Sequence, residues 1–423
     1  MFLSSLRRVG AAHARLARHL ADCAPFVLPA KLEVAHTGSS GLGLRTHQRV
    51  DAGEPLLRVP ESLWSPFSAD TAVSHARAKA APLVARLDQI SCGLPEEHER
   101  LTQVVCLALH LLLVRGSGGS AYAETLPVPD VPLLTWSGDD LAVLAGTRTH
   151  AAVLARRSFV HALHEHVFGA QSPVSVAQLT WALATITSRA LSDPLAPMTL
   201  CPVLDLTNHA ADASCQHSYD AGTRSFVLIA KRALDPGEQV TISYGAALDN
   251  DRLLRLYGFT EHSNKIGAAL LPPPWPAPRP DDPLRAKKLR TLRRPDVAAV
   301  PAGQGGECWW WDAEADARPV SVAGRADAQP LLAVLRVMHL EPGDVAAEHV
   351  DATRPVSAAN EAAVRASMEA AVRRALDAYP SLQQAEDALA WHAAGASAPP
   401  RLLHACRIVA GEASTLRSLL TDG

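Results

Sequence analysis

The stretch Cys201–Cys215, CPVLDLTNHAADASC, contains the most informative side chains of this chain of 423 residues. An apolar segment, predicted as a strand over Val203–Leu206, leads to Asp205 and then to the adjacent pair Asn208 and His209. Asp and Asn also form turns at strand ends. Taken alone, the segment therefore fits a structural role as well as a functional one.

A metal site is a further interpretation of the same stretch, and it would give a metal hydrolase. Its ligands would be Asp205, His209, Cys215 and His217. The chain has no C-x-x-C pair among its seven cysteines and no helical H-x-x-x-H in this stretch, the spacings that indicate zinc sites. The odd number and wide spacing of the cysteines also disfavour a disulfide framework and favour a reducing compartment.

Towards the C-terminus, Gly237–Phe259 (GEQVTISYGAALDNDRLLRLYGF) places two tyrosines in related positions. A predicted strand ends at Tyr244, and a predicted short helix over residues 250–258 carries Tyr257. The two hydroxyls can face one cleft from two elements, or the two rings can be core aromatics with hydrogen-bonded hydroxyls.

Towards the N-terminus, residues 38–44 (GSSGLGL) form a glycine-rich loop between two predicted strands. Glycines allow a backbone to approach a ligand and to expose its amides. The spacing differs from a dinucleotide fingerprint, because an extended segment follows where a helix should begin.

Between these motifs, residues 68–180 show apolar residues at helical spacing and predict a helical insert. Residues 1–23 predict an N-terminal helix or a targeting segment, residues 24–263 one β-rich domain that contains the insert, residues 264–283 a Pro-rich linker, and residues 284–423 a helical domain.

Charge and hydropathy exclude several classes of protein. The 40 basic and 43 acidic residues give a net charge of −3, which disfavours a nucleic-acid-binding protein. The longest apolar run, Gln103–Val114, is shorter than the ~20 residues that span a bilayer. The expected location is cytoplasmic or nuclear, and the basic residues before Asp22 leave a chloroplast or a mitochondrion open.

In their order along the chain, the motifs resemble the SET-domain protein methyltransferases, most closely the branch of the plant Rubisco large-subunit lysine methyltransferase. The resemblance rests on the loop at 38–44, Asp-x-x-Asn-His at 205–209 and Gly-Glu-x-Val-x-Ile-x-Tyr-Gly at 237–245. Within the insert, YAETLP at 122–127 is similar to a stretch of that branch, and the Ser-Arg-Ala motif at 188–190 follows the insert.

The resemblance implies an α+β protein: a β-rich SET fold with a knot-like crossing near its end, followed by an all-α domain that docks the protein substrate. The implied cofactor is S-adenosylmethionine, without a metal. The implied catalytic residue is Tyr244. The implied cofactor-binding residues are Ser40, Gly41, Leu42, Arg189, Asn208, His209 and Tyr257. The implied substrate-binding residues are Ser188, Arg189, Asp205, Tyr244 and Tyr257.

The implied function is S-adenosylmethionine-dependent methylation of lysine in a non-histone protein, with neither nucleic acid nor membrane as a partner. Two alternatives stay open: a protein-histidine N-methyltransferase of the same fold, and a catalytically silent adaptor that keeps the fold. Leu191 follows Ser-Arg-Ala where relatives commonly have Phe, so the target protein does not carry over from the resemblance.

Overall fold

The computed structural model describes residues 31–38, 41–90, 95–118, 120–126, 133–169, 172–245, 248–264, 266–271, 281–292, 320–323, 329–344 and 350–420. The predicted N-terminal helix or targeting segment, Ser40 and most of the Pro-rich linker lie outside these residues. The chain divides into two compact units, the first with residues 1–134 and 156–246 and the second with residues 135–155 and 247–423.

The strands of the first unit form two sheets and a separate hairpin. The strands are β1 Leu32–His36, β2 Leu42–Thr46, β3 Pro55–Pro60, β4 Ala190–Asp193, β5 Ala196–Leu200, β6 Asn208–His209, β7 Cys215–Asp220, β8 Ser225–Ala230 and β9 Gln239–Ile242. A four-stranded sheet has the order β1-β2-β9-β6, in which β6 is parallel to β9, and a three-stranded antiparallel sheet has the order β3-β8-β7. The separate hairpin joins β4 to β5.

The helices of the first unit form the predicted insert and pack around their own core. They are Glu61–Trp64, Ala69–Lys79, Ala81–Leu87, Pro95–Gly116, Ala121–Thr125, residues 156–167 of the helix Arg148–Val167, and Val176–Arg189. The last of these begins at Ser175 with a capping box to Gln178, which satisfies two backbone N–H groups at the helix start. That helix therefore carries Ser188 and Arg189 in its final turn.

One predicted strand is wrong. Residues Leu204–Leu206 form a short 3₁₀ helix instead of the expected strand at 203–206. Val203 before it has φ 69°, a left-handed conformation that costs a β-branched residue energy. The turn lets the N–H of Asp205 donate to the carbonyl of Cys201 at 3.0 Å, and it directs the chain into β6.

The first part of the helical insert contains two helices in close succession. The first stops at Lys79, and the second starts at Ala81 with Pro82 near its beginning. Proline has no N–H to donate and fits the first turn of a helix, so it starts a new helix here.

The second unit is mainly helical. Its helices are Gly138–Ala142, residues 148–155, Asn250–Arg252, Arg285–Leu292, Gln329–Met338, Ala358–Asp377, Leu382–Ala393 and Pro400–Ser418. Strands β10 Ala269–Leu271 and β11 Val320–Val322 pair antiparallel beside them. Apolar faces of the long helices meet in one core that includes Leu335, Val372 and Val409. Together with the strands of the first unit, these helices confirm the predicted α+β class.

Among the residues that the structure describes, no helix combines the length and the apolar composition that crossing a membrane requires.

Candidate active site

The parallel pairing of β6 with β9 brings His209 to Tyr244. His209 lies opposite Ile242 in the register, and Tyr244 follows two residues after that last pair. The main-chain N–H of Tyr244 donates to Nδ1 of His209 at 3.1 Å, and the two rings lie 5.1 Å apart at 36°. An Nδ1 that accepts a hydrogen bond carries no proton, so this imidazole has its N–H at Nε2.

The hydroxyl of Tyr244 is also fixed. It donates to the carbonyl oxygen of Thr207 at 3.0 Å. Since its proton is directed at that carbonyl, any further hydrogen bond at the phenolic oxygen is one that the oxygen accepts. The geometry gives Tyr244 an oriented acceptor beside the Asn208–His209 strand.

Asn208 holds the glycine-rich loop from the other side. Its Nδ2 donates to Oγ1 of Thr37 at 3.0 Å and to the carbonyl of Leu42 at 3.3 Å. The N–H of Thr37 donates to the carbonyl of Gly41 at 2.8 Å, which closes the loop on itself. With both amide donors used, Oδ1 of Asn208 is the atom that this part of the described structure leaves for a ligand.

Gly43 makes this arrangement possible. A Cβ at Gly43 would overlap Nδ2 of Asn208 and would also press on the side chain of Thr37. Gly41, by contrast, has φ +73°, and no described atom lies within 4 Å of where its Cβ would stand. The loop is therefore closed against Asn208 at Gly43 and open beside Gly41.

Asp205 and Arg189 meet below this strand. Nη1 of Arg189 donates to the carbonyl of Asp205 at 3.1 Å and lies 3.4 Å from its Oδ2. The hydroxyl of Tyr122 donates to the same Oδ2 at 2.9 Å. The Asp205 side chain is 2% exposed, and this burial raises its pKa, against the opposing effects of Arg189 and Tyr122.

Thr207 adds a further polar atom. The residue is 1% exposed, and its Oγ1 has no hydrogen-bond partner among the described residues. Buried polar atoms almost always have a hydrogen-bond partner. An unpartnered hydroxyl next to Asn208 therefore fits a site where a bound ligand supplies that partner.

Tyr257 belongs to the second unit and is described by itself. It ends a π-helical turn, Leu253–Tyr257, which stops at Gly258 with φ 83°. Single π turns are uncommon and occur frequently at functional sites. Burial raises the pKa of Tyr257, so its hydroxyl stays protonated at neutral pH.

The preceding residues anchor this turn within the second unit. Asp251, 4% exposed at its side chain, receives two hydrogen bonds of 2.7 Å from Arg255 and lies 3.1 Å from Nη2 of Arg148. These two guanidinium groups hold the pKa of the Asp251 carboxyl below its usual value despite burial. Arg148 also pairs with Asp249.

The structure links the predicted site residues in three groups. Gly41 and Leu42 join Asn208, His209 joins Tyr244, and Arg189 joins Asp205. Ser188 points its hydroxyl back to the carbonyl of Thr185 at 3.3 Å. Ser40 lies outside the described residues, and the catalytic and binding roles of all these residues stay predictions.

Sequence reasoning missed three contributors: Thr37, Gly43 and the hydroxyl of Tyr122. Gly43 lies in the glycine-rich loop, and Tyr122 begins YAETLP, so a weak signal existed for both. The alternative metal site receives no support. The described residues contain no group of three or more His, Cys, Asp or Glu placed to hold a metal, and Asp205 is bound by Tyr122 and Arg189 instead.

Comparison with known proteins identifies both parts of the chain. The family model of the SET domain matches residues 41–245, and that of the Rubisco LSMT substrate-binding domain matches residues 279–416. Among curated proteins, SET domain-containing protein 8 of Schizosaccharomyces pombe is 24% identical over 199 residues, which cover 45% of this chain and 45% of that protein. The [fructose-bisphosphate aldolase]-lysine N-methyltransferase, chloroplastic, of Arabidopsis thaliana is 27% identical over 246 residues, 53% of this chain and 47% of that protein.

The aligned regions thus span about half the length of the curated relatives that the chain matches. Among solved structures, Rubisco LSMT bound to AdoMet superposes with a TM-score of 0.68 at 20% identity, covering 97% of this chain and 91% of that one. The SET domain of LSMT bound to lysine and AdoHcy gives the same values. This likeness shows a shared fold over nearly the whole chain.

The Asn208–His209 strand, the loop from Gly41 onward and Tyr244 all lie in the matched SET region, and the helical second unit contains the other match. The chain therefore combines a SET domain, over residues 41–245, with a Rubisco LSMT substrate-binding domain, over residues 279–416.

Proposed function

We propose that this protein is an S-adenosylmethionine-dependent protein-lysine N-methyltransferase that acts on a non-histone protein. The observation that carries the proposal is the contact between Tyr244 and His209, because it brings the oriented phenolic oxygen to the strand whose Asn208 holds the glycine-rich loop. The lysine-methylating relative of Arabidopsis thaliana supports the same reaction class.

The cofactor fits the groups present. Open space beside Gly41, the unpartnered Oγ1 of Thr207 and the Oδ1 of Asn208 suit a polar ligand that approaches the loop backbone. In the first unit, the residues that would hold it are Ser40, Gly41, Leu42, Arg189, Asn208 and His209. When bound, S-adenosylmethionine supplies a methyl group on a sulfonium, so the protein itself needs little covalent chemistry.

The chain's own residues then orient the acceptor amine. A lysine amine has an ordinary pKa of ~10.4 and must lose a proton before it attacks. Burial beside aromatic rings lowers that pKa, because the ammonium form loses its hydration. The phenolic oxygen of Tyr244, fixed by its bond to Thr207, accepts a hydrogen bond from the amine and holds it in line. Positioning therefore supplies much of the rate.

The second unit is proposed to dock the protein substrate. Its helix Leu382–Ala393 carries Trp391, which is 72% exposed and lies one helical turn from Asp387 on the same face. An exposed Trp beside a carboxylate suits a basic side chain of a partner protein, through cation–π and ionic contact. The compartment is proposed to be cytoplasmic or nuclear, and the name of the chloroplastic relative keeps an organelle as the other candidate.

Labelled S-adenosylmethionine, incubated with the purified protein and a cell lysate, tests the proposal. We expect label in a small number of proteins, and mass spectrometry should place the methyl group on lysine. Label on histidine would favour the histidine methyltransferase. Cofactor binding by calorimetry without any label would favour the silent adaptor and would contradict the proposed activity. A variant without the proposed catalytic hydroxyl, Tyr244→Phe, should give little label. Its matched control is Tyr219→Phe, since the ring of Tyr219 packs on Trp64.

A further inference from the structure

The hydroxyl of Tyr122 is a buried group that none of the proposed roles uses. Tyr122 lies in the helix Ala121–Thr125 of the insert and is 3% exposed. Its ring packs edge-on against Phe67, with the two ring centres 4.9 Å apart, and this contact explains why the ring is buried. It does not account for the hydroxyl, which donates to Oδ2 of Asp205 at 2.9 Å.

The stability of the fold alone does not explain why a carboxylate and a phenol are buried together beside a guanidinium here. A buried carboxylate costs several kcal/mol of desolvation, and replacing a buried ion pair by apolar residues is often neutral or stabilising. Asp205 nevertheless stays buried with Arg189 and Tyr122 as its partners. Both partners act on the same oxygen, Oδ2, so the Tyr122 hydroxyl and the Arg189 guanidinium together fix the orientation of the carboxyl.

We propose that Tyr122 is a positioning residue for the protein substrate. Its hydroxyl fixes Oδ2 of Asp205 together with Arg189, and so holds in place the carboxyl that the resemblance assigns to substrate binding. The proposal rests on the methyltransferase function proposed above and deepens it by assigning a residue of the insert to substrate binding. Burial and the nearby Asp205 charge raise the pKa of Tyr122 well above its usual value, so the hydroxyl remains a donor throughout the working pH range.

The first test measures melting temperatures of Tyr122→Phe, which keeps the ring and removes only the donor. Losing that donor raises the pKa of Asp205 further, because the anion loses a partner. A carboxyl whose pKa is raised on folding loses stability as pH rises. We therefore expect the melting deficit of the variant to grow by at least about 2 °C between about pH 4 and about pH 8.

The pH dependence of the melting deficit must vanish when Tyr122→Phe is combined with Asp205→Asn. In the double variant the deficit should be the same at both pH values, since no carboxyl remains to titrate. Tyr219→Phe is the matched control and should show a deficit independent of pH. A pH-independent deficit in Tyr122→Phe would mean that the hydroxyl does not act through Asp205, and it would overturn the inference.

The second test uses the acceptor protein identified by labelling. Without the Tyr122 hydroxyl Asp205 is no longer held in place, and losing its charged hydrogen bond to the acceptor, ~1.5–3 kcal/mol, should raise KM for the acceptor about tenfold or more in Tyr122→Phe. The affinity for S-adenosylmethionine and kcat should stay within about twofold. Unchanged KM would overturn the substrate role even if the melting test succeeds. Absence of label with the wild-type protein would instead refute the proposed function, while the melting test still reports on the contact between Tyr122 and Asp205.

Discussion

The main-chain N–H of Tyr244 donates to Nδ1 of His209 at 3.1 Å, and this bond closes the site around the end of β9. The contact uses the backbone of Tyr244 and leaves its side chain for another task. The phenolic hydroxyl is held separately by the carbonyl of Thr207. Backbone and side chain can therefore be tested independently.

Tyr244→Phe should lose most of its turnover and keep its cofactor affinity. The substitution removes the phenolic oxygen and leaves the backbone bond to His209 intact. Loss of a positioned acid–base or orienting group costs typically 10²–10⁴-fold in rate. Labelled-methyl incorporation measures turnover, and calorimetry measures affinity for S-adenosylmethionine. Turnover at the level of Tyr219→Phe would remove Tyr244 from the catalytic role.

Asn208→Ala should weaken cofactor binding, because the loop loses its two hydrogen bonds to Thr37 and Leu42. Breaking a buried hydrogen bond also costs about 1–3 kcal/mol of stability. Asn360→Ala is the matched control, since the buried amide of Asn360 donates to the carbonyl of Arg336 in the second unit. It should lower stability and leave cofactor affinity unchanged. Equal affinity in both variants would show that the cofactor pocket is misplaced.

Gly43→Ala should produce a similar loss of affinity without removing any polar group. The new Cβ would overlap Nδ2 of Asn208 and force the amide or the loop to move. Overpacking of this kind costs about 1–3 kcal/mol. Gly116→Ala, at a helix end where no described atom lies within 4 Å of the new Cβ, is the neutral control. Cofactor titrations of the two variants that coincide would contradict the close approach of Asn208 and Gly43.

Glu412 should make the second unit less stable as pH rises towards neutrality. Its carboxylate accepts the N–H of Arg148 at 3.1 Å and the hydroxyl of Tyr379 at 3.0 Å, and burial raises its pKa from 4.5 to about 7. The folded state then binds the Glu412 proton more tightly than the unfolded state, so the free energy of unfolding falls as pH rises from 4.5 to about 7. A shift of that size corresponds to roughly 3 kcal/mol at most.

Glu412→Gln tests this directly by chemical denaturation across the same pH range. The amide cannot ionise, so the fall in stability towards neutral pH should be reduced in the variant. A parallel pH dependence in the two proteins would mean that other groups titrate and that Glu412 is not the source.

Trp391→Ser should raise KM for the acceptor protein and leave affinity for S-adenosylmethionine unchanged, because this exposed side chain lies on the helix proposed to dock the substrate. Truncating an aromatic anchor of a protein interface typically costs 2 kcal/mol or more, about thirtyfold in KM. Leu113→Ser is the matched control: Leu113 is similarly exposed, at 71%, on a helix of the first unit. An equal KM for the two variants would exclude Trp391 as a docking residue.

Local patterns predicted most of the elements well. The apolar spacing of residues 148–167 predicted a helix, and the structure has that helix at Arg148–Val167. Such spacing depends on side chains a few residues apart, and these are adjacent in sequence as well as in space. The strand predicted at 203–206 failed because the left-handed turn at Val203 leaves no trace in the order of apolar residues.

The site required more than local patterns. The sequence identified Asn208, His209, Asp205 and Tyr244 through the resemblance of their motifs, and the family matches confirm that resemblance. It did not identify Thr37 as the partner of Asn208 or the hydroxyl of Tyr122 as the partner of Asp205. Both pairs join residues far apart along the chain, so no spacing rule relates them.

The sequence by itself determined the order of the motifs, the boundaries of most helices and the residue types available for methyl transfer, because these depend on near neighbours and on composition. Only the tertiary structure decided which oxygen accepts from which donor, that Gly43 must lack a side chain for Asn208 to approach, and that Asp205 shares one oxygen between Arg189 and Tyr122. Those contacts depend on how distant segments pack, since a hydrogen bond requires two groups within about 3 Å in space wherever they lie in the chain.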